Sequence, residues 1–235
     1  MNVPSGPRTI LALDYHDPKA ALRLVEALDP QLCRLKVGKE LFTRSGPQLV
    51  GTLIEQGYEV FLDLKFHDIP QTVVRAVQAA AELGVWMVNV HASGGRHMME
   101  SAANALARYS RAPLLIAVTV LTSLDQYDLH EIGVPRTPAD WAVTLAKLAE
   151  DSGLDGVVCS AQDLALLKPE VDAAFLRVTP GIRLPGDDPH DQKRVLDPAA
   201  AIRAGSHYLV VGRSVTAATD PLARLHEINA QIEAG

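Results

Sequence analysis

The chain has 235 residues, of which 48% are hydrophobic and 21% charged, with a formal net charge of −6. Such a composition gives a globular protein room for a sizeable core and excludes a disordered or fibrous one. The acidic balance argues against nucleic acid or an anionic membrane as the main partner, but not against an anionic small ligand, which needs only a few well-placed cations.

Short apolar runs rich in strand formers recur along the chain. The first two cover residues 9–14 and 32–38, and the third, 59–66, carries Asp63 and Lys65. A helical stretch follows, in which Val73, Val77, Ala80 and Ala81 mark one buried face by their i, i+4, i+7 spacing. The fourth run is 86–92 and the fifth 114–121, the latter almost continuously hydrophobic, as a parallel strand covered on both faces reads. The sixth, seventh and eighth cover 156–160, 175–181 and 208–213.

Helix punctuation separates these runs. Thr137-Pro138, Asp197-Pro198 and Asp220-Pro221 each place a capping side chain before a proline at the first helical position. Gly57, Gly84, Gly153 and Gly205 follow alanine- or leucine-rich stretches, where a helix end needs a left-handed residue. Eight strands alternating with about eight helices, without a linker, predict an α/β fold in one domain spanning 1–235, a single (β/α)8 TIM barrel. An open doubly wound sheet is the runner-up, but no G-x-G-x-x-G follows the first strand.

The start of the chain has no long apolar stretch of the signal-peptide kind, and no run approaches the roughly 18 apolar residues of a membrane span. Cys33 and Cys159 sit in apolar runs without metal-ligand spacing and read as buried free thiols. A cytoplasmic protein is expected.

Barrels bind ligands at the carboxyl ends of their strands. The polar residues predicted there are Asp14, Lys36, Asp63, Lys65, His91, Thr119, Thr122 and Arg183, followed by Arg213. Charges facing a barrel interior are costly unless paired, so such a set points to a site. On the third strand Asp63 and Lys65 share one face, while Leu64 and Phe66 pack on the other. Asp68 comes after the strand has turned toward Ile69 and Pro70, and Lys36 ends the neighbouring strand. A lone Asp-x-Lys pair reads best as an ion pair closing the mouth. With Lys36 and Asp68 added, the four form an alternating array that holds its lysines as ammoniums. Such lysines protonate or stabilise carbanion-like charge better than they attack as nucleophiles.

The seventh and eighth strands end in Gly181 to Arg183 and in Gly212-Arg213, where a barrel of this kind builds a phosphate site from backbone N–H groups and bidentate guanidinium contacts. The polar, Pro- and Gly-rich stretch 184–194 between them reads either as a lid or as a plain loop. His91 ends the fourth strand, as a direct contact or as a hydrogen-bonded neighbour of the site, and with Asp63 it leaves one metal pairing open. His67 and His97 read as surface or loop residues. No Ser-His-Asp arrangement is evident.

The segment 61–72, with Asp63, Lys65, Asp68, Ile69 and Thr72, resembles the signature of the bacterial orotidine 5'-phosphate decarboxylase family. The resemblance extends through 11–14, 36–42, 118–123, 180–183, 191–194 and 211–213. It implies conversion of orotidine 5'-phosphate to uridine 5'-phosphate and CO2, the last step of de novo UMP synthesis, without metal or organic cofactor. It implies that Lys65 protonates C6 of the pyrimidine, with Lys36, Asp63 and Asp68 completing the array. Asp14 and Lys36 would bind ribose hydroxyls, Thr122 the pyrimidine, and Arg183, Gln192, Gly212 and Arg213 the phosphate, with Gln192 on the lid. It also implies a homodimer in which Asp68, Ile69 and Thr72 reach into the partner's site. Two other readings stand beside it. One is a Mg2+-dependent sugar-phosphate decarboxylase or aldolase of the same superfamily, sharing the D-x-K-x-x-D pattern. The other is a non-catalytic nucleotide-binding barrel.

Overall fold

The computed structural model describes residues 5–184 and 196–235. Eight parallel strands close into a barrel in sequence order, β1 (Thr9–Ala12), β2 (Arg34–Gly38), β3 (Val60–Phe66), β4 (Met87–His91), β5 (Leu114–Val118), β6 (Gly156–Val158), β7 (Leu176–Thr179) and β8 (Tyr208–Val211), with β8 paired to β1. The TIM-barrel expectation holds. The fifth strand is shorter than its apolar run, because Val120 and Leu121 leave the ladder and line the cavity at the barrel mouth.

The helices that wrap the barrel begin where the sequence signals them. They are α1 (Pro18–Glu26), α2 (Lys39–Glu55), α3 (Pro70–Glu82), α4 (Arg96–Leu106), α5 (Gln126–Glu131), α6 (Pro138–Asp151), α7 (Leu164–Leu167), α8 (Pro198–Ala204), α9 (Arg213–Thr216) and α10 (Pro221–Glu233). Thr137, Asp197 and Asp220 cap α6, α8 and α10 by accepting the N–H of Asp140, Ala200 and Ala223. Gly57, Gly84, Gly153 and Gly205 take φ of 90, 83, 79 and 111°, the left-handed conformation expected after a helix. On α3 the buried residues are Val73, Val77, Ala80 and Ala81, the face that the spacing marks. The added helices α5 and α9 lie in the connections after β5 and β8, both at the carboxyl end of the barrel.

Strand alternation divides the apolar residues into two layers. Outward-facing Leu11, Leu35, Val37, Leu62 and Val88 pack under the helices in the larger cluster. Inward-facing Ile10, Phe61, Met87, Ile116 and Val178 fill the barrel. Its amino-terminal end is closed by Arg34, whose guanidinium lies 4.2 Å from the Trp86 ring and 5.1 Å from that of Tyr208. The same group pairs with Glu59 at 2.6 Å and donates to the carbonyls of Ser5 and Pro7, tying the N-terminal segment across the opening. Arg8 adds bonds to the carbonyls of His207 and Ser206 at 2.9 and 2.8 Å.

Gly156 shows how closely the ladder is packed. A Cβ there would collide with the Leu176 carbonyl of β7, a backbone atom that cannot swing aside. Gly156→Ala should therefore lower unfolding free energy by about 1–3 kcal/mol, the usual range for overpacking. Denaturant titration measures this directly, and an unchanged midpoint would mean that β6 and β7 separate freely.

Candidate active site

At the carboxyl end of the barrel the strands open into a cavity of ≈ 510 Å³. Asp14, Lys36, Asp63, Lys65, Thr122, Arg183, Gly212 and Arg213 line it, so eight of the predicted site residues come together around one space. Asp68, Ile69 and Thr72 do not line it; all three lie exposed beyond β3. Gln192 and the stretch 185–194 fall outside the described residues. Thr119 turns away from the cavity and donates its hydroxyl to the Val158 carbonyl at 3.0 Å, joining β5 to β6.

Asp63 is the centre of the charged group. Its Oδ1 accepts from Lys65 Nζ at 2.6 Å, and its Oδ2 faces Lys36 Nζ at 3.3 Å. Lys36 in turn donates to Asp14 at 3.2 Å. Two ammoniums thus alternate with two carboxylates across β1, β2 and β3. The Asp63 and Lys36 side chains are 10% and 11% exposed while that of Asp14 is 69% exposed, so the array is buried at its core and open at the Asp14 rim. Burial alone would raise the Asp63 carboxyl, but the ammoniums of Lys36 and Lys65 outweigh it and hold the group below its usual value. Burial likewise pulls Lys36 down, and the carboxylates of Asp63 and Asp14 more than reverse this.

Lys65 reaches this position through an irregular backbone. The β3–β4 pairing runs Phe61 to Met87 and Leu62 to Val88, then jumps to Phe66 with Val90. Residues 63 to 65 form a bulge there, and Lys65, alone among the described non-glycine residues, has a left-handed φ, 52°. Such a conformation costs about 1–3 kcal/mol and persists only where its surroundings impose it. The expected division of faces holds, with Leu64 and Phe66 packed under the helices.

Asn89 is a residue that the sequence reading missed. Fully buried in β4, it accepts the Lys65 backbone N–H at 2.8 Å and donates to Asp63 Oδ1 at 2.7 Å. Its sequence signal is a lone amide within an otherwise apolar strand, at the same inward parity as His91. A buried amide left without partners costs several kcal/mol, so its partners are where to look. His91 stands just above it, with its ring 5.6 Å from that of His67. Burial, followed by the nearby His67, Lys39 and Lys65, pushes His91 down to about 4, so it is neutral near pH 7. Cys33 and Cys159 are buried free thiols, each pushed up to about 12 chiefly by burial. Among the described residues, no three His, Cys, Asp or Glu side chains gather as a metal-ligand set.

The arginines of the cavity follow β7 and β8. Arg183 is buried after β7, its Nη1 donating to the Ile182 carbonyl at 2.9 Å, and Arg213 opens α9. Gly212 precedes it. A Cβ at Gly212 would meet only the Ala12 Cβ, at an ordinary 3.9 Å, so the protein's own packing does not demand glycine there. The small residue keeps the cavity wall open to a ligand.

The cavity is therefore lined both by a buried ammonium–carboxylate array at the ends of β1, β2 and β3 and by two guanidiniums that follow β7 and β8. Residues 7–228 match the model of the Orotidine 5'-phosphate decarboxylase / HUMPS family. The chain is 58% identical over 234 residues to orotidine 5'-phosphate decarboxylase of Pseudoalteromonas translucida (strain TAC 125), covering 99% of this chain and 100% of that one. It is 59% identical over 223 residues to the protein of the same name from Chromobacterium violaceum, covering 95% of this chain and 90% of the relative. Among solved structures, orotidine 5'-phosphate decarboxylase from Lactobacillus acidophilus superposes with a TM-score of 0.84 at 38% identity, covering 95% of this chain and 98% of that one.

Proposed function

The chain belongs to the Orotidine 5'-phosphate decarboxylase / HUMPS family, and on that premise we propose how its barrel decarboxylates orotidine 5'-phosphate to uridine 5'-phosphate in pyrimidine biosynthesis. It is a carboxy-lyase. The observation that carries the mechanistic reading is the Lys36–Asp63–Lys65 array, buried at the mouth of a cavity that Arg183 and Arg213 also line.

Breaking the bond between C6 and the carboxylate leaves its electron pair on a ring carbon as CO2 departs. A fixed cation aimed at that carbon lowers the barrier, because the stabilising charge is already in place when the electron pair forms. Lys65 supplies this cation and then the proton, so that its N–H bond breaks as C6–H forms. Asp63 and Lys36 hold the ammonium in register. Asp14 and Lys36 bind the ribose hydroxyls at the open rim, and Thr122 contacts the pyrimidine. Arg183, Gln192, Gly212 and Arg213 take the phosphate, with binding energy far from C6 contributing to transition-state stabilisation.

The proposed assembly is a homodimer in which Asp68, Ile69 and Thr72 of one copy complete the array of the other. Three observations support this: Asp68 is exposed and does not line its own cavity, its Oδ1 accepts the Ile69 N–H at 2.6 Å, and Ile69 is 67% exposed. We further propose that residues 1–235 act as one catalytic domain in the cytoplasm, where two buried free thiols are at home.

The decisive assay follows orotidine 5'-phosphate absorbance with and without a strong chelator. Turnover unchanged by chelation is expected. No turnover would refute the reading, and a chelator-sensitive rate on a sugar phosphate would replace it with the Mg2+-dependent alternative.

A further inference from the structure

Lysine has no intrinsic preference for the left-handed conformation that Lys65 adopts, and nothing in its own side chain stabilises it. The support comes from β4. Where a regular ladder would give the Lys65 N–H a backbone carbonyl, it finds the side-chain oxygen of Asn89 at 2.8 Å. The other end of that amide donates at 2.7 Å to Asp63 Oδ1, the same oxygen that Lys65 Nζ approaches to 2.6 Å. A closed circuit results, running from Lys65 backbone through Asn89 and Asp63 to the Lys65 ammonium.

We infer that Asn89 is the positioning residue of this site, fixing the bulge at Lys65 and the rotation of the Asp63 carboxylate together so that the ammonium projects into the cavity. A neutral amide of this length meets both demands with one side chain. A carboxylate would accept from Lys65 but could not donate to Asp63, and an apolar side chain would do neither. Asn89 is fully buried, and the bonds its side chain makes go to these two residues, so its contribution is the orientation of Asp63 and Lys65.

The inference rests on the decarboxylase reading only for its kinetic arm. Position 89 is faced by Asp63 and Lys65 from β3, with Lys36 of β2 beyond Asp63. His91 lies two residues along β4, and on the β5 side lie the apolar Ile116 and Val118. Asn89→Ala should lower kcat by about 10- to 100-fold with KM changed by less than about threefold, since misplacement by an ångström costs turnover on that scale. Asn89→Asp is the isosteric companion. Near pH 8 it presents a second carboxylate to Asp63 and should be at least as impaired. As its carboxyl is protonated at lower pH it regains the donor, so its rate relative to wild type should climb on acidification. A residue that only filled space would produce no such recovery.

Amide hydrogen exchange at Lys65 reads the geometry without reference to turnover. Protection in wild type and its loss in Asn89→Ala is the expected pair. Wild-type kinetics in folded Asn89→Ala, no acid recovery in Asn89→Asp, or an equally protected Lys65 amide in both proteins would each overturn the inference. If wild type itself fails to decarboxylate while the exchange pattern appears, the decarboxylase reading falls and the positioning role stands.

Discussion

Lys65→Ala is expected to reduce turnover of orotidine 5'-phosphate by at least about 10⁴-fold, the combined scale of a lost proton donor and a lost electrostatic contact. The fold should tolerate the change. The Lys65 side chain is 25% exposed, it fills no part of the apolar core, and Asp63 keeps Lys36 at 3.3 Å and Asn89 at 2.7 Å. Alanine meets the same backbone strain at φ 52° that lysine does, so strain alone should not shift the melting temperature. Ligand affinity should fall far less than kcat, because the residues proposed for the phosphate and ribose contacts leave Lys65 out. Single-turnover absorbance measurements on wild type and variant give the comparison. A residual rate within about tenfold of wild type would remove Lys65 from the protonation step.

The second large effect concerns Asp68. If two copies share each site, Asp68→Ala and Lys65→Ala are each inactive alone, and yet complement one another. In a mixed dimer one site inherits both defects and the other inherits neither. Random reassortment of equal amounts makes half the dimers mixed, each with one intact site, so about a quarter of wild-type activity should return. The geometry behind this is the divergence of Asp63 and Asp68, five residues apart in sequence. Asp63 is buried in the array, while Asp68 is exposed and engaged with its own Ile69 N–H. A mixture no more active than its components would show that Asp68 serves its own chain or none. The exposed Ile69 lines a surface depression of ≈ 380 Å³ on α3 and α4 together with Pro70, Val74 and His97, and in the proposed dimer this is where the neighbour would seat.

The barrel was legible because its strands are buried on both faces and read as unbroken apolar runs, with caps and left-handed glycines between them. Most of the charged array was legible for a related reason. Inward parity on β2 and β3 placed Lys36, Asp63 and Lys65 where unpaired charge could not persist. What escaped was local conformation and context. A lysine in a left-handed bulge carries no compositional mark, unlike a glycine after a helix. Asn89 looked like an interruption in an apolar strand because its two partners lie 24 and 26 residues away in sequence. The fifth strand was read too long because hydrophobic residues that cover a cavity mouth look the same as those in a ladder. The assignment of Asp68 to a neighbouring chain came from resemblance alone, since nothing in a single sequence says which copy a side chain serves.

The far end of the barrel carries a consequence of its own. Arg34, stacked against Trp86 and Tyr208 and tied to the carbonyls of Ser5 and Pro7, stoppers the vessel below a packed column of Ile10, Phe61, Met87, Ile116 and Val178. The barrel is thus a flask rather than a pipe. Whatever enters at the mouth leaves there, so the gas released from the ring has to escape past, or ahead of, the nucleotide left behind.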